Sequence, residues 1–105
     1  MADTLTGKQR RHLRALAHAL DPVLHIGKAG VTPGVLEEID RALETHELIK
    51  LKFSADSPLG PAEAAEPIQS GTRSQVAQII GRMLVVYRRR KKDPKILLPQ
   101  ARAEK

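Results

Sequence analysis

The sequence predicts an α/β fold: a compact two-layer domain ordered α-β-α-β-α-β-β, with a four-stranded mixed sheet backed by three helices. Three observations predict it. Apolar residues recur at helical spacing near residues 6–19 and 32–45. Residues 48–53, Leu-Ile-Lys-Leu-Lys-Phe, alternate as a half-buried strand does. Two later apolar runs are joined by Gly81-Arg82, the signature of a hairpin.

The elements follow in order. Thr6 is placed to cap a first helix, and Leu13, Leu16, Ala17 and Leu20 form its apolar stripe. Asp21-Pro22 ends it, because proline restricts the residue before it. Val23-Leu24-His25-Ile26 is short and β-favouring. After Gly27-Lys28-Ala29-Gly30, Thr32 caps a second helix and Pro33 suits its first position. Val35, Leu36, Ile39, Ala42 and Leu43 give that helix a buried face, leaving Glu37, Glu38, Asp40 and Glu44 on the others. In the second strand Ile49, Leu51 and Phe53 share one face, and Leu48, Lys50 and Lys52 the other. Residues 61–70 read as a third helix with Pro61 in its first turn. Pro67 should kink or shorten it, and Gly71 stands where a C-terminal glycine would. Runs 75–80 and 83–88 make the hairpin, and Ile96-Leu97-Leu98 is a candidate edge strand.

The chain of 105 residues implies one domain, residues 1–99, with 100–105 as a tail. It has no cysteine, which excludes a disulfide framework and thiolate metal sites. No apolar run approaches the ~20 residues of a membrane span, and the first residues lack the apolar core of a signal peptide. A cytoplasmic, monomeric protein without membrane contact is expected.

The formal net charge is +6, which points to a polyanionic partner. Its distribution says more than its sum. Residues 1–30 carry five Lys/Arg against two acids, 31–48 one against five, 49–81 three against three, and 82–105 nine against two. Such segregation suggests a binding face and a rear face.

Catalysis has little support. Glu37 and Glu38 are adjacent and so diverge by about 100° on a helix, a poor acid/base pair. The serines lie in no nucleophile context. His12, His18, His25 and His46 include no i, i+4 pair of the kind that holds zinc on a helix. No catalytic group, metal or cofactor is expected. One Phe, one Tyr and no Trp argue against base stacking as the main source of affinity for nucleic acid.

The Gly27–Gly30 stretch can be read as a tight turn or as a phosphate seat. Glycines leave no Cβ between a backbone and its ligand. The helix that follows offers its N-terminal N–H groups and dipole. The spacing is neither a nucleotide P-loop nor a dinucleotide fingerprint. A G-x-x-G loop beside a small α/β sheet clamps single-stranded RNA in KH domains. There the loop joins two helices, whereas here it joins a strand to a helix.

Taken together, KQRRHLRALAH, HIGKAGVTPGVLEEI, ALETHELIKLK and QIIGRMLVVYR resemble the CRM domain (chloroplast RNA splicing and ribosome maturation), in its small stand-alone bacterial form, the YhbY family. The pieces span roughly residues 6–98 in order. The resemblance implies the α-β-α-β-α-β-β fold and RNA binding through the glycine loop. It also implies association with precursors of the large ribosomal subunit, their rRNA being the partner and ribosomal proteins a further class of contact. Carried over by position, the RNA-binding residues are Gly27, Lys28, Ala29 and Gly30, supported by Lys8, Arg11, Arg14, Lys50 and Lys52. Arg82 and the run Arg88, Arg89, Arg90, Lys91 and Lys92 extend the set. The run is denser than the family pattern. The competing reading is a protein-interaction module whose working surface is the acidic second helix.

Overall fold

Alternation in the central strand decides where everything else sits. The computed structural model describes residues 5–96. Its elements are α1 (Gly7–Ala17), β1 (Leu24–Ile26), α2 (Pro33–His46), β2 (Leu48–Phe53), α3 (Pro61–Thr72), β3 (Gln75–Ile80) and β4 (Met83–Tyr87). The sheet order is β1-β2-β4-β3. β1 runs parallel to β2, with Ile26 opposite Phe53; the other pairings are antiparallel. The parallel pair needs a crossover, and α2 supplies it. The β3–β4 hairpin turns through Gly81 at φ 57° and Arg82, as its sequence predicts.

Ile49, Leu51 and Phe53 of β2 join Leu84 and Val86 of β4, Ile26, and the inner faces of α2 and α3 in the main core. Each large side chain there contributes roughly 1.5–3 kcal/mol by leaving water. The opposite face holds a second cluster. Leu48, Val85, Tyr87 and Ala77 pack there under Leu5, Leu13 and Ala17. Helices therefore lie on both faces, and the expected two-layer arrangement is corrected to a sheet with α2 and α3 on one side and α1 on the other. The reason is in β2 and β4: Leu48, Val85 and Tyr87 point away from the main core and need a cover of their own. That cluster is small, so Leu13 and Ala17 fill it, while Leu16 and Leu20 of the predicted stripe stay 40% and 37% exposed.

The caps follow the sequence. Thr6 accepts from Gln9 N and the Gln9 side chain accepts from Thr6 N, a capping box. Thr32 accepts from Val35 N at 3.1 Å. The third helix departs from expectation twice. It continues through Pro67 to Thr72. The only hydrogen bond that Pro67 cannot donate is the one to the Glu63 carbonyl, and both residues lie on the exposed side, where water substitutes. Gly71 is not the terminal glycine either. Arg73 takes the left-handed conformation at φ 58°, ψ 38°. Gly71 instead admits Leu36 of α2: an added Cβ would lie 3.1 Å from Leu36 Cδ1. In the predicted edge strand, Ile96 is irregular and packs on the second cluster, while Leu97, Leu98 and the tail lie outside the described residues.

Replacing Pro67 by Ala restores an N–H to a continuous helix without removing buried contact. It should raise stability by about 1–2 kcal/mol, part of the ~3 kcal/mol interior proline penalty being offset by the freer unfolded chain. Urea denaturation of the two proteins checks it.

Candidate nucleic-acid interface

The glycine stretch follows β1 and precedes α2. Gly30 N donates to Gly27 O at 2.9 Å, closing a turn whose tip, Lys28-Ala29, is exposed. The two glycines are not equivalent. Gly30 is buried at φ 74°, and a Cβ there would meet Pro58 Cγ at 2.9 Å. The fold itself demands glycine at this position. Gly27 has no positive φ, and an added Cβ would meet only Ser54 Oγ, at an ordinary 3.8 Å. Nothing in the fold demands glycine there.

Three loops meet at this end of the sheet. Ser54 N donates to Ile26 O, tying the loop after β2 to the end of β1. Phe53 N donates to Arg82 O at 2.8 Å, and Arg82 Nη1 reaches Ser54 O at 3.4 Å, which draws in the hairpin turn. Both α2 and α3 start here, so two helix N-termini face the same end. One carboxylate is also present: Asp56 accepts from Ser54 Oγ at 2.6 Å.

Lys50 pairs with Val85 and Lys52 with Met83, which places both lysines on the α1 side of the sheet. Lys52 is exposed and Lys50 half-buried. His25, opposite Lys52, shares that side. The α1 helix adds Lys8, Arg10, Arg11 and Arg14, all exposed, and carries no acid. On the other side of the sheet, α2 and α3 expose Glu37, Glu38, Asp40, Glu44, Glu63 and Glu66, with Arg41 the one Lys or Arg of the two helices. Charge is therefore sorted by layer.

The predicted basic set is not one cluster. Gly27 to Gly30 and Arg82 sit at one end of the sheet, and Lys50, Lys52, Lys8, Arg11 and Arg14 lie on its α1 side. The run from Arg88 to Lys92 sits at the far end, where β2 begins. The strand between the two ends spans about 17 Å. Arg88 differs from its neighbours. Its guanidinium donates to Asp40 Oδ1 at 2.5 Å, to Thr72 O at 2.8 Å and to Asp40 O at 3.0 Å, with Glu44 Oε1 at 3.4 Å. It joins α2, α3 and β4, and only 19% of its side chain is exposed. It holds the fold together rather than facing solvent. The same contacts occupy Asp40 and Glu44, two of the acids in the competing reading.

Sequence reasoning passed over Glu47, between α2 and β2. It is fully buried at φ 66°. Its carboxylate accepts from Arg90 N, Lys95 N and Ile96 N, each at 2.7 Å. The weak signal was an acid at a helix end, directly before an alternating strand. Its charge is felt nearby. The Tyr87 phenol is raised above its ordinary 10.0, first by burial and then by Glu47, with Arg89 pulling it back down. Among the described residues no group of three or more His, Cys, Asp or Glu could hold a metal ion.

The glycine asymmetry is measurable. Gly30→Ala should cost about 1–3 kcal/mol, from left-handed strain and the Pro58 clash. Gly27→Ala should stay within about 0.5 kcal/mol. Thermal denaturation of both variants checks it.

Comparison with known proteins gives the family. The chain is 41% identical over 97 residues to an RNA-binding protein of Haemophilus influenzae, covering 92% of this chain and 97% of that one. It is 41% identical over 95 residues to the protein of Bacillus subtilis named probable RNA-binding protein YqeI, covering 90% and 99%. The solution structure of the Staphylococcus aureus protein SAV1595 superposes with a TM-score of 0.75 at 43% identity, covering 91% of this chain and all of that one. The model of the CRS1/YhbY (CRM) domain matches residues 5–88, and the chain belongs to that family.

Proposed function

We propose that this protein is a non-catalytic RNA-binding protein that associates with precursors of the large ribosomal subunit and assists their assembly. The observation that carries the reading is the sorting of charge by layer. The α1 side of the sheet is basic, the α2/α3 side acidic, and the glycine loop with Arg82 lies at the sheet end where the strands hand over to helices. A phosphate chain laid on the α1 side meets cations, and the acids are kept behind the sheet. RNA-binding names among the relatives support the polymer class.

The mechanism is electrostatic. Gly27 leaves room for a phosphate beside the turn, Lys28 supplies a mobile charge, and the start of α2 supplies N–H groups and a dipole. Lys52, Lys50 and the α1 cations continue the track. With few aromatics, recognition rests on phosphates and shape. The ribosomal role rests on resemblance to the family. The protein acts as a monomer in the cytoplasm, and a salt-sensitive grip lets it leave the finished particle.

If about five phosphates of a single strand are neutralised, log K should fall with log salt at a slope near ~−3.5. Fluorescence anisotropy with labelled RNA measures that slope. A flat salt dependence rejects the electrostatic mechanism.

The ribosomal role is tested by sucrose-gradient sedimentation of a tagged protein beside a Gly27→Asp/Lys28→Glu variant, which leaves Gly30 intact so that the loop still folds. The wild type should travel with large-subunit precursors and wash off with salt, and the variant should stay at the top. If the wild type stays at the top, the ribosomal role is wrong. If both travel equally, the loop is only a turn.

A further inference from the structure

We infer that Glu47 clips residues 88–96 into a fixed strap that makes a second contact with the RNA backbone, at the opposite end of the sheet from the glycine loop. The inference rests on the RNA-binding reading above and adds to it a positioning residue and a second site.

A run such as Arg-Arg-Arg-Lys-Lys repels itself and is ordinarily a solvated, disordered stretch. Here it is fastened at several points. Arg88 N donates to Glu47 O at 2.9 Å. The Glu47 carboxylate then takes the N–H groups of Arg90, Lys95 and Ile96, so the chain wraps round a buried anion. Ile96 closes the wrap by packing on the second apolar cluster. Burying a carboxylate is costly unless its oxygens are satisfied, and holding a non-glycine residue at φ 66° adds backbone strain. Both costs fall on one residue, whose hydrogen bonds give shape to an otherwise exposed segment.

The strap points its cations outward. Arg89, Lys91 and Lys92 are exposed while the Arg88 guanidinium is turned into the fold. Arg89 and Lys91 line a groove with Arg73, which is turned out by its left-handed backbone, and with Arg88. Asp40 and Glu44 of α2 also border it, so the groove opens on the α2/α3 side of the sheet, and Arg88 engages both of these acids. Four cations against two acids leave the groove positive. It lies the length of β2, about 17 Å, from the glycine loop, too far for one short stretch of backbone to sit on both. The RNA this arrangement fits is one long enough, or folded so, that two separate stretches of backbone reach both ends.

Charge alone and positioning predict opposite signs for Glu47. Glu47→Gln removes a negative charge beside the cations, so simple electrostatics would tighten binding. Loss of position would weaken it. The measurement is anisotropy titration with two labelled probes, a uridine tetranucleotide that fills one contact and a 30-nucleotide uridine strand that spans both. Expected for Glu47→Gln, after circular dichroism shows it folded, is about tenfold weaker binding of the long strand with tetranucleotide binding unchanged. The salt slope should be shallower by about 1.4, for two phosphates released. Arg89→Ser/Lys91→Ser should behave alike.

A second pair of variants leaves Glu47 in place. Lys95→Pro and Lys95→Ala lose the same charge, and only the proline lacks the N–H given to Glu47. The long strand should bind more weakly to Lys95→Pro than to Lys95→Ala. This pair decides the matter by itself if Glu47→Gln does not fold. Equal or tighter binding of the long strand by folded Glu47→Gln, equal losses on both probes, or no difference within the Lys95 pair overturns the inference. If the wild type binds neither probe, the RNA reading falls and the second contact with it. Trypsin cleavage after Arg89–Lys92, faster in Glu47→Gln, then still separates anchoring by Glu47 from contact with RNA.

Discussion

The structure depends on the alternation of β2. This strand lies between β1 and β4, and its odd and even residues face different solvents. Ile49, Leu51 and Phe53 demand a wide apolar cover, which α2 and α3 provide. Leu48 demands only a small one, and α1 supplies it together with Val85 and Tyr87. Lys50 and Lys52 occupy the remaining positions on the α1 side, where burying an ammonium would be costly. A slip of one residue would turn both lysines into the core and Ile49, Leu51 and Phe53 out of it. The register that builds the core is thus also the one that lays two cations on an open surface.

Topology supplies the second constraint. β1 and β2 run parallel, so both end on the same side, and α2 and α3 both begin there. In open α/β sheets that edge is where ligands bind, because helix N-termini and mobile loops gather at the ends of strands. The glycine turn, the loop after β2 and the hairpin turn are joined by short hydrogen bonds rather than merely adjacent. At the far end the chain behaves differently. The C-termini of α2 and α3 lie there, and the positive charge at that end comes from side chains of the strap that Glu47 fastens.

Local signals were readable and distant ones were not. The central strand, the Thr6 and Thr32 caps, Pro33 and the Gly81-Arg82 hairpin were visible in sequence because each is decided within a few residues. The third helix was misjudged because the effect of Pro67 depends on exposure, and the role of Gly71 on Leu36 in another helix. The side on which α1 packs was hidden for the same reason: its stripe says that it is amphipathic, not which face of the sheet it covers. The parts of the candidate site that sequence missed lie further apart still. Arg88 meets Asp40 across 48 positions, and Glu47 meets Ile96 across 49. A run of five basic residues shows neither that its first member is turned inward nor that a buried acid fastens the rest.

The two glycines of one short loop show how structure and function divide a motif between them. Gly30 is required by backbone angle and by Pro58, so its presence says nothing about a ligand. Gly27 is required by neither, and it leads directly into the exposed tip of the turn, Lys28-Ala29. A fold can explain the first and leaves the second for chemistry to explain. The same division runs through the basic residues, where Arg88 belongs to the fold and Arg89, Lys91 and Lys52 to the surface. What stays on the surface is a set of cations held at spacings that the sheet imposes. With one Phe and one Tyr, both buried, the chain has little with which to stack on bases. Under the RNA-binding reading proposed above, discrimination among RNAs comes from which of them can present phosphates at those spacings, a property of RNA shape rather than of its sequence.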